Sequence, residues 1–377
     1  MQATWKNGNR FELLPEGKRF WPAMREAIEG AQRHLWIELY LMESGSLAER
    51  FIGALTSAAS RGVEVKLMLD GIGSMGLSHN DRQRLRNGGV ELRFFNPLSV
   101  TRLGGNLMRD HRKLVIVDGV MAFTGGFGIV DEFVDAWYEV AVRIQGPVVE
   151  DWMRLFAQVW DSPLTRGGKA KQRLMPSPQL PPSASPSESS DNGMRGRAIW
   201  GRGHRHQAIR VSLQSRIGTA RRRLWMCTPY FVPTLSLRRA LARAARRGVD
   251  VRLLLAGGHH DHPGVRYAGQ RFYGRLLKAG VRIYEFQPNF IHAKFSVVDD
   301  WVSLGSCNFD HWSLQWNLEA NQEIDDADFA AEVAQLFERN FAASQRIDAA
   351  SWAQRSWWQR GREWLFGTLN AWVTRLK

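Results

Sequence analysis

"DHRKLVIVDG" (Asp110–Gly119) and "IHAKFSVVDD" (Ile291–Asp300) carry one arrangement twice. In each, a lysine follows a histidine by two residues and an aspartate follows the lysine by five: His111, Lys113 and Asp118, then His292, Lys294 and Asp299. The residues between lysine and aspartate are mostly apolar and β-branched, which reads as a strand. Residues two apart on a strand share a face, so each His–Lys pair projects together. The aspartates lie an odd number of residues further on and are expected to hold strand ends and turns, although as members of the repeated motif Asp118 and Asp299 are also counted among the candidate catalytic residues.

Self-similarity extends outward from these stretches. "RHLWIELYLM" from Arg33 matches "RRLWMCTPYFVP" from Arg222, and "LTSAASRGVEVKLMLDG" from Leu55 matches "LARAARRGVDVRLLLAG" from Leu241. "LRNGGVELRFFNP" from Leu85 matches "LLKAGVRIYEFQP" from Leu276. The order is the same in both halves. Each unit alternates strands with amphipathic helices, with a glycine such as Gly62 closing a helix and Asp118-Gly119 turning a strand pair. That alternation predicts an α/β sandwich with helices on both sheet faces, present as two pseudo-symmetric units.

Four segments follow from this reading. Residues 1–162 form the first unit and residues 199–345 the second. Between them, residues 163–198 are rich in Pro, Ser and Gly and poor in apolar residues, so a mostly disordered linker is expected. Residues 346–377 form a basic, Trp-rich tail. In the tail Trp358, Leu365, Leu369, Trp372 and Leu376 fall on one helical stripe among several arginines. Such a helix suits an interfacial membrane anchor, and packing on the domain is the competing reading.

The chain has 377 residues, a formal charge of +14 and 44% hydrophobic residues. That is enough for two domains with real cores, and the charge implies an anionic partner, either nucleic acid or an acidic membrane surface. Two cysteines, Cys227 and Cys307, exclude a disulfide framework and any zinc-finger spacing. No signal-like apolar stretch and no run of about 18 apolar residues occurs, so a cytoplasmic chain with peripheral membrane contact is expected.

Two imidazoles and two ammonium groups brought into one cleft suit a phosphodiester. Lysines neutralise non-bridging oxygens, one histidine attacks phosphorus, and the other protonates the leaving alkoxide. A carboxylate on the far ring nitrogen would fix each tautomer. Glu139, 28 residues after His111, and Glu319, 27 after His292, are equivalent candidates. "TGGFG" (Thr124–Gly128) and "LGSCN" (Leu304–Asn308) follow the strand pairs. Gly125 and Gly126 would let backbone N–H groups approach the phosphate, with Ser306 and Asn308 adding side-chain donors.

The repeated HxKxxxxD followed by GG or GS resembles the phospholipase D superfamily over nearly the whole chain. "GSCNFDHWSLQWNLEANQEI" and "VAVRIQGPVVEDW" most resemble its bacterial cardiolipin synthase branch. The resemblance implies two phospholipase-D-like domains sharing one site, a covalent phosphohistidine, and no metal or other cofactor. It assigns His111 as nucleophile and His292 as acid and then base, although the pseudo-symmetry also permits the reverse. Many members have Asn where this chain has Gly128, which makes the half-sites unequal.

The leading expectation is phosphatidyl transfer from phosphatidylglycerol or a related donor to form cardiolipin, at the inner face of a bacterial membrane rich in anionic phospholipid. A phospholipase D hydrolase or a nuclease would use the same chemistry, and a catalytically inert binding module is the alternative of another class. No base-recognition motif is present, so no specific nucleic acid is expected, and no protein partner is inferable.

Overall fold

The computed structural model describes residues 4–98, 108–166, 193–202, 206–310 and 317–373. The first lobe contains β1 (Lys6–Pro15), α1 (Gly17–Glu29), β2 (His34–Leu39), α2 (Ser46–Ser60), β3 (Glu64–Asp70), α3 (His79–Asn87) and β4 (Glu91–Phe95). It continues with β5 (Leu114–Val117), β6 (Met121–Gly125), α4 (Glu132–Asp135), β7 (Trp137–Tyr138), β8 (Val140–Gln145), α5 (Val149–Trp160) and β9 (Thr165–Arg166). The second lobe repeats the pattern: β10 (Met194–Arg202), β11 (His206–Gln207), α6 (Ala208–Thr219), β12 (Arg223–Thr228), α7 (Leu235–Arg246), β13 (Asp250–Ala256), α8 (Pro263–Gln270) and α9 (Tyr273–Lys278). Then come β14 (Arg282–Phe286), β15 (Phe290–Ile291), β16 (Phe295–Val298), β17 (Trp301–Gly305), β18 (Leu318–Asp325), α10 (Ala327–Ala342), β19 (Ser344–Arg346), α11 (Ala349–Ala353) and α12 (Trp357–Val373).

Strand pairing makes the duplication visible. Crossing the sheet, the strands run β9-β4-β3-β2-β5-β6-β8-β1, then β10-β18-β17-β16-β12-β13-β14-β19. The second series mirrors the first. β2, β3 and β4 are parallel, as βαβ crossovers require, and so are β12, β13 and β14. Gly62 at φ 91° and Gly248 at φ 89° end equivalent helices in a left-handed conformation open to glycine without a Cβ penalty.

The seam falls between β1 and β10. β1 pairs with β8 from Arg10 to Pro15, and its start pairs with β10, at Lys6↔Gly196 and Asn9↔Met194. α5 and α10 cover this junction in one shared core: Phe11 meets Phe329 at 6.2 Å, and Trp152 Nε1 donates to Gln322 Oε1 at 2.9 Å. Each lobe has a further core on the other sheet face, under α1–α3 in one lobe and under α6, α7 and α9 in the other. The fold class is therefore the expected two-unit α/β architecture.

The linker boundaries need correction. Thr165 and Arg166 pair with Phe95 and Phe94, and Met194–Ala198 already belong to β10, bonded to β18. The arginines and glycines of "MRGRAIWGR" hid a strand whose side chains alternate between two environments. The disorder expected of the Pro/Ser-rich stretch concerns residues 167–192, outside the described residues. Cys227 and Cys307 are free and buried.

The tail is packed on the domain along one face of α12. Phe366 rests on Gly264 and on Tyr267, at 5.6 Å between rings, and buried Glu363 pairs with Arg355 at 2.7 Å. That face is packed against α8. Trp357, Trp358 and Trp364 are 68%, 65% and 64% exposed, so no described residue covers the other face. No helix among the described residues is long and apolar enough to cross a membrane.

Candidate active site

Each motif histidine is fixed by the opposite lobe. β15, immediately before His292, pairs in parallel with β7, and the His292 N–H donates to the Tyr138 carbonyl at 2.8 Å. In the mirror arrangement Asp110 bridges to Leu318, and the His111 N–H donates to the Leu318 carbonyl at 3.0 Å. The residue after Tyr138 is Glu139 and the residue after Leu318 is Glu319. The carboxylates are thereby delivered crosswise: His292 Nδ1 lies 2.8 Å from Glu139, and His111 Nδ1 lies 3.0 Å from Glu319. Sequence spacing within a half correctly marks both glutamates as equivalent but carries no sign of the exchange.

Lys113 and Lys294 fold back over the same cluster. Lys113 Nζ donates to the His111 carbonyl at 2.5 Å, and Lys294 Nζ sits 3.0 Å from His292 Nε2 and 3.9 Å from Glu139. All six groups are largely buried. Only 12% of the His111 side chain and 9% of His292 are exposed, which leaves a narrow opening to both rings. Burial, then the charges of the two lysines, holds the His111 imidazole well below its ordinary pKa, and the same causes act on His292. Burial brings Lys113 down to about 7 and Lys294 to about 8, against the opposing pull of the glutamates. Burial also raises both carboxyls, Glu319 to about 8 despite Lys113. Lys113, Lys294 and Glu319 thus titrate within reach of neutrality.

The aspartates belong elsewhere. Asp118, at φ 54°, accepts the N–H groups of Gln32, Arg33 and His34. Asp299, at φ 53°, accepts those of Arg221, Arg222 and Arg223. Each sits beyond the far end of a four-residue strand from its histidine and pins a hairpin to the start of a parallel strand. They are positioned as turn residues, not among the reacting groups. The first hairpin loop holds three residues, Asp118–Val120, and the second two, Asp299–Asp300, which accounts for the 28- and 27-residue spacings.

The glycine and serine positions are also corrected. A Cβ on Gly126 would overlap the Glu139 carboxylate, and one on Gly125 would press on β8 at the Val140 carbonyl. In the second lobe Ser306 replaces Gly126. Its hydroxyl donates to Glu319 at 2.5 Å, and its N–H is committed to Ala320 O at 3.0 Å. These residues seat the glutamates, and do not offer donors to a phosphate. Asn308 is buried beside them. Gly128, its counterpart, lies tight against Leu41 and Phe133, so a side chain there would press on Phe133, which meets His292 edge-on at 5.3 Å.

Sequence reasoning missed a charged network beneath His111. Arg112 pairs with Glu38 at 2.6 Å and with Asp110 at 3.3 Å; Arg109 pairs with Asp70 at 3.2 Å, and Asp70 also accepts the Asp110 N–H. The equivalent positions in the second lobe are Cys227, Ile291, Phe290 and Ala256, with Ala293 replacing Arg112. There the imidazole is held by rings: Trp137 at 5.2 Å, Phe133, Phe290 at 5.8 Å and Tyr230 at 6.4 Å. His111 has Tyr40 at 4.8 Å. A glutamate inside the apolar run "LWIELYL" was the available signal.

A family model described as "Cardiolipin synthase, PLD-like domain" matches residues 24–160 and 213–341. Cardiolipin synthase B of Escherichia coli O6:H1 is 32% identical over 95% of this chain and 87% of its own length. Cardiolipin synthase A of Cronobacter sakazakii is 32% identical over 95% of this chain and 74% of its own. Among solved structures, phosphatidylserine synthase of Haemophilus influenzae Rd KW20 superposes with a TM-score of 0.74 at 14% identity, covering 97% of this chain and 93% of that one. That likeness speaks to the fold.

Proposed function

The chain belongs to the phospholipase-D-like cardiolipin synthase family of phosphatidyltransferases, and from that premise we propose that it transfers a phosphatidyl group through a phosphohistidine at the crosswise histidine pair. Phosphatidylglycerol serves as donor, and a second phosphatidylglycerol as acceptor, giving cardiolipin and glycerol. The observation that carries this is the pairing of each imidazole with the other lobe's glutamate, around two buried lysines.

Each glutamate engages Nδ1 and directs Nε2 to the chemistry, with Lys294, 3.0 Å from His292 Nε2, turning to the phosphate oxygens when substrate binds. His111 Nε2 attacks phosphorus while the ester bond to the leaving glycerol oxygen breaks and His292 donates a proton to that oxygen. The acceptor hydroxyl then attacks, returning its proton to His292 and the P–N electron pair to His111. In the free cleft burial and the lysines keep both rings neutral. A bound phosphodiester brings a negative charge that offsets the lysines and raises both imidazole pKa values. Trp137, tilted 35° over His292 at 5.2 Å, stabilises the imidazolium further, which favours His292 as the acid. The lysines hold the non-bridging oxygens through the transition state.

The same reading assigns the uncovered face of α12 to a bilayer. The exposed tryptophans suit the headgroup region, and anionic lipid attracts a chain of charge +14. The protein accordingly works as a peripheral enzyme at the inner face of the bacterial cell membrane.

The test is incubation with phosphatidylglycerol in mixed micelles followed by lipid mass spectrometry. Cardiolipin and free glycerol are expected from the unaltered chain and neither from His111→Ala. DNA cleavage with no cardiolipin would overturn the reading in favour of a nuclease.

A further inference from the structure

One polar cluster is not used by the chemistry above. The loop after β13 reads "GGHHDHP" (Gly257–Pro263), and it stands over the second half-site. Tyr230, whose ring lies edge-on to His292 at 6.4 Å, donates its hydroxyl proton to Asp261. His260 Nδ1 lies 3.1 Å from Asp261 and His262 Nε2 lies 3.7 Å from it. The His260 ring packs between Tyr230 at 5.6 Å and Phe290 at 5.2 Å, and Phe290 itself borders His292. The pseudo-symmetric loop after β3, "GIGSMGLS" (Gly71–Ser78), supplies no imidazole and no carboxylate. The cluster therefore distinguishes one side of the cleft from the other.

Its hydrogen-bonding capacity is selective. Asp261 is an acceptor, and a carboxylate held anionic repels a phosphate. Tyr230 has spent its proton on Asp261, so its oxygen is left as an acceptor. His260 is 99% buried at its side chain, and its Nε2 has no hydrogen-bond partner among the described residues. His260 Nδ1 is contacted both by Asp261 and by the His262 N–H at 2.9 Å. If Nδ1 carries the proton, Nε2 is a bare acceptor; if Nδ1 accepts from His262, Nε2 is a donor. A hydroxyl group satisfies Nε2 in either state, since it both donates and accepts. A phosphate oxygen satisfies it in one state only.

We infer that Tyr230, His260 and Asp261 bind the hydroxyl-bearing head group of the accepting alcohol, a polyol of glycerol type, on the His292 side of the cleft. This rests on the proposed function, in which His292 takes the acceptor's proton. One hydroxyl of the polyol attacks phosphorus, and a neighbouring hydroxyl donates its proton to Asp261. Water and simple alcohols lack the second hydroxyl and gain no such contact. The cluster thus biases the phosphohistidine toward transfer over hydrolysis.

The experiment uses the full chain with phosphatidylglycerol in mixed micelles and compares two added acceptors, isotope-labelled glycerol, whose incorporation marks newly formed phosphatidylglycerol, and 1-propanol. Burst release of the leaving alcohol reports phosphohistidine formation, and the ratio of transfer product to phosphatidic acid reports the second step. Asp261→Asn and Tyr230→Phe are each expected to lower the transfer-to-hydrolysis ratio for glycerol by roughly tenfold. The 1-propanol ratio should stay within about twofold of the unaltered chain. Tyr230→Phe removes one oxygen and keeps the ring packing, so it stands as the second variant should Asp261→Asn fold poorly. An unaltered chain that accepts 1-propanol as readily as glycerol, or variants that keep the glycerol ratio, would overturn the inference while leaving phosphatidyl transfer intact. Absence of any burst from the unaltered chain would overturn the underlying reading and the inference with it.

Discussion

His111 takes its carboxylate from Glu319, 208 residues away in the chain and in the opposite lobe, and His292 takes its own from Glu139. The two half-sites are therefore one unit, and neither lobe contains a complete histidine–carboxylate pair.

Glu319→Gln and Glu139→Gln are each expected to slow turnover on phosphatidylglycerol by roughly a hundred- to ten-thousandfold, the usual worth of a positioned acid or base. The two should part company on a donor with a p-nitrophenol leaving group, which needs no protonation. Glu139→Gln and His292→Ala regain most of their rate of leaving-group release there, whereas His111→Ala does not. Rescue of His111→Ala instead would assign the nucleophile to His292.

Asp118→Asn is expected to lower stability by about 1–2 kcal/mol at pH 7 with the folded protein still active, because it weakens three backbone hydrogen bonds to a charged acceptor. Burial works to raise this carboxyl, but the N–H groups of His34, Gln32 and Arg33 outweigh it and hold the pKa below its ordinary value. A group depressed in the folded state contributes stability above its unfolded pKa and loses it as pH falls through the folded one. Denaturant titrations should therefore show the gap between variant and parent closing below about pH 3.

Lys113→Met tests the electrostatics of the nucleophile. Removing a positive neighbour makes protonation of His111 easier, so its pKa rises toward the ordinary value while burial still holds it low. Histidine-labelled NMR titration should show the upward move, and the base form should be lost at higher pH than in the parent. An unchanged His111 titration would contradict the placement of the lysine.

Replacing Trp357, Trp358 and Trp364 together by serine is expected to weaken sedimentation with anionic vesicles at least about tenfold, the equivalent of 1.4 kcal/mol. Activity in detergent micelles should persist, since these side chains face away from α8 and touch no site residue. Equal vesicle binding by the variant would return the tail to a purely packing role.

Much of this molecule is readable without coordinates because duplication repeats each signal. A histidine and lysine two apart, or a glycine closing a helix, gains force from its echo 180-odd residues later. The α/β units, the two HxK pairs and the equivalence of the two glutamates all come from that comparison. The exchange of carboxylates between lobes does not, because it depends on β7 pairing with β15 and on Asp110 bridging to Leu318, contacts between segments with no sequence cue. The aspartates show the opposite failure. Their odd spacing points to turns, yet company with His and Lys in one motif also makes them candidate catalytic residues. Gly126 and Ser306 were misassigned because spacing locates a close approach without saying what approaches, and here it is the glutamate.

The seam between β1 and β10 has a consequence for the order in which the protein is made. A ribosome that has completed the first lobe has produced His111 and Lys113 but not Glu319, and β1 still lacks its partner from β10. A chain that stops short of β18 consequently holds His111 without the carboxylate that orients it, and the crosswise pair closes only when nearly the last strand has emerged.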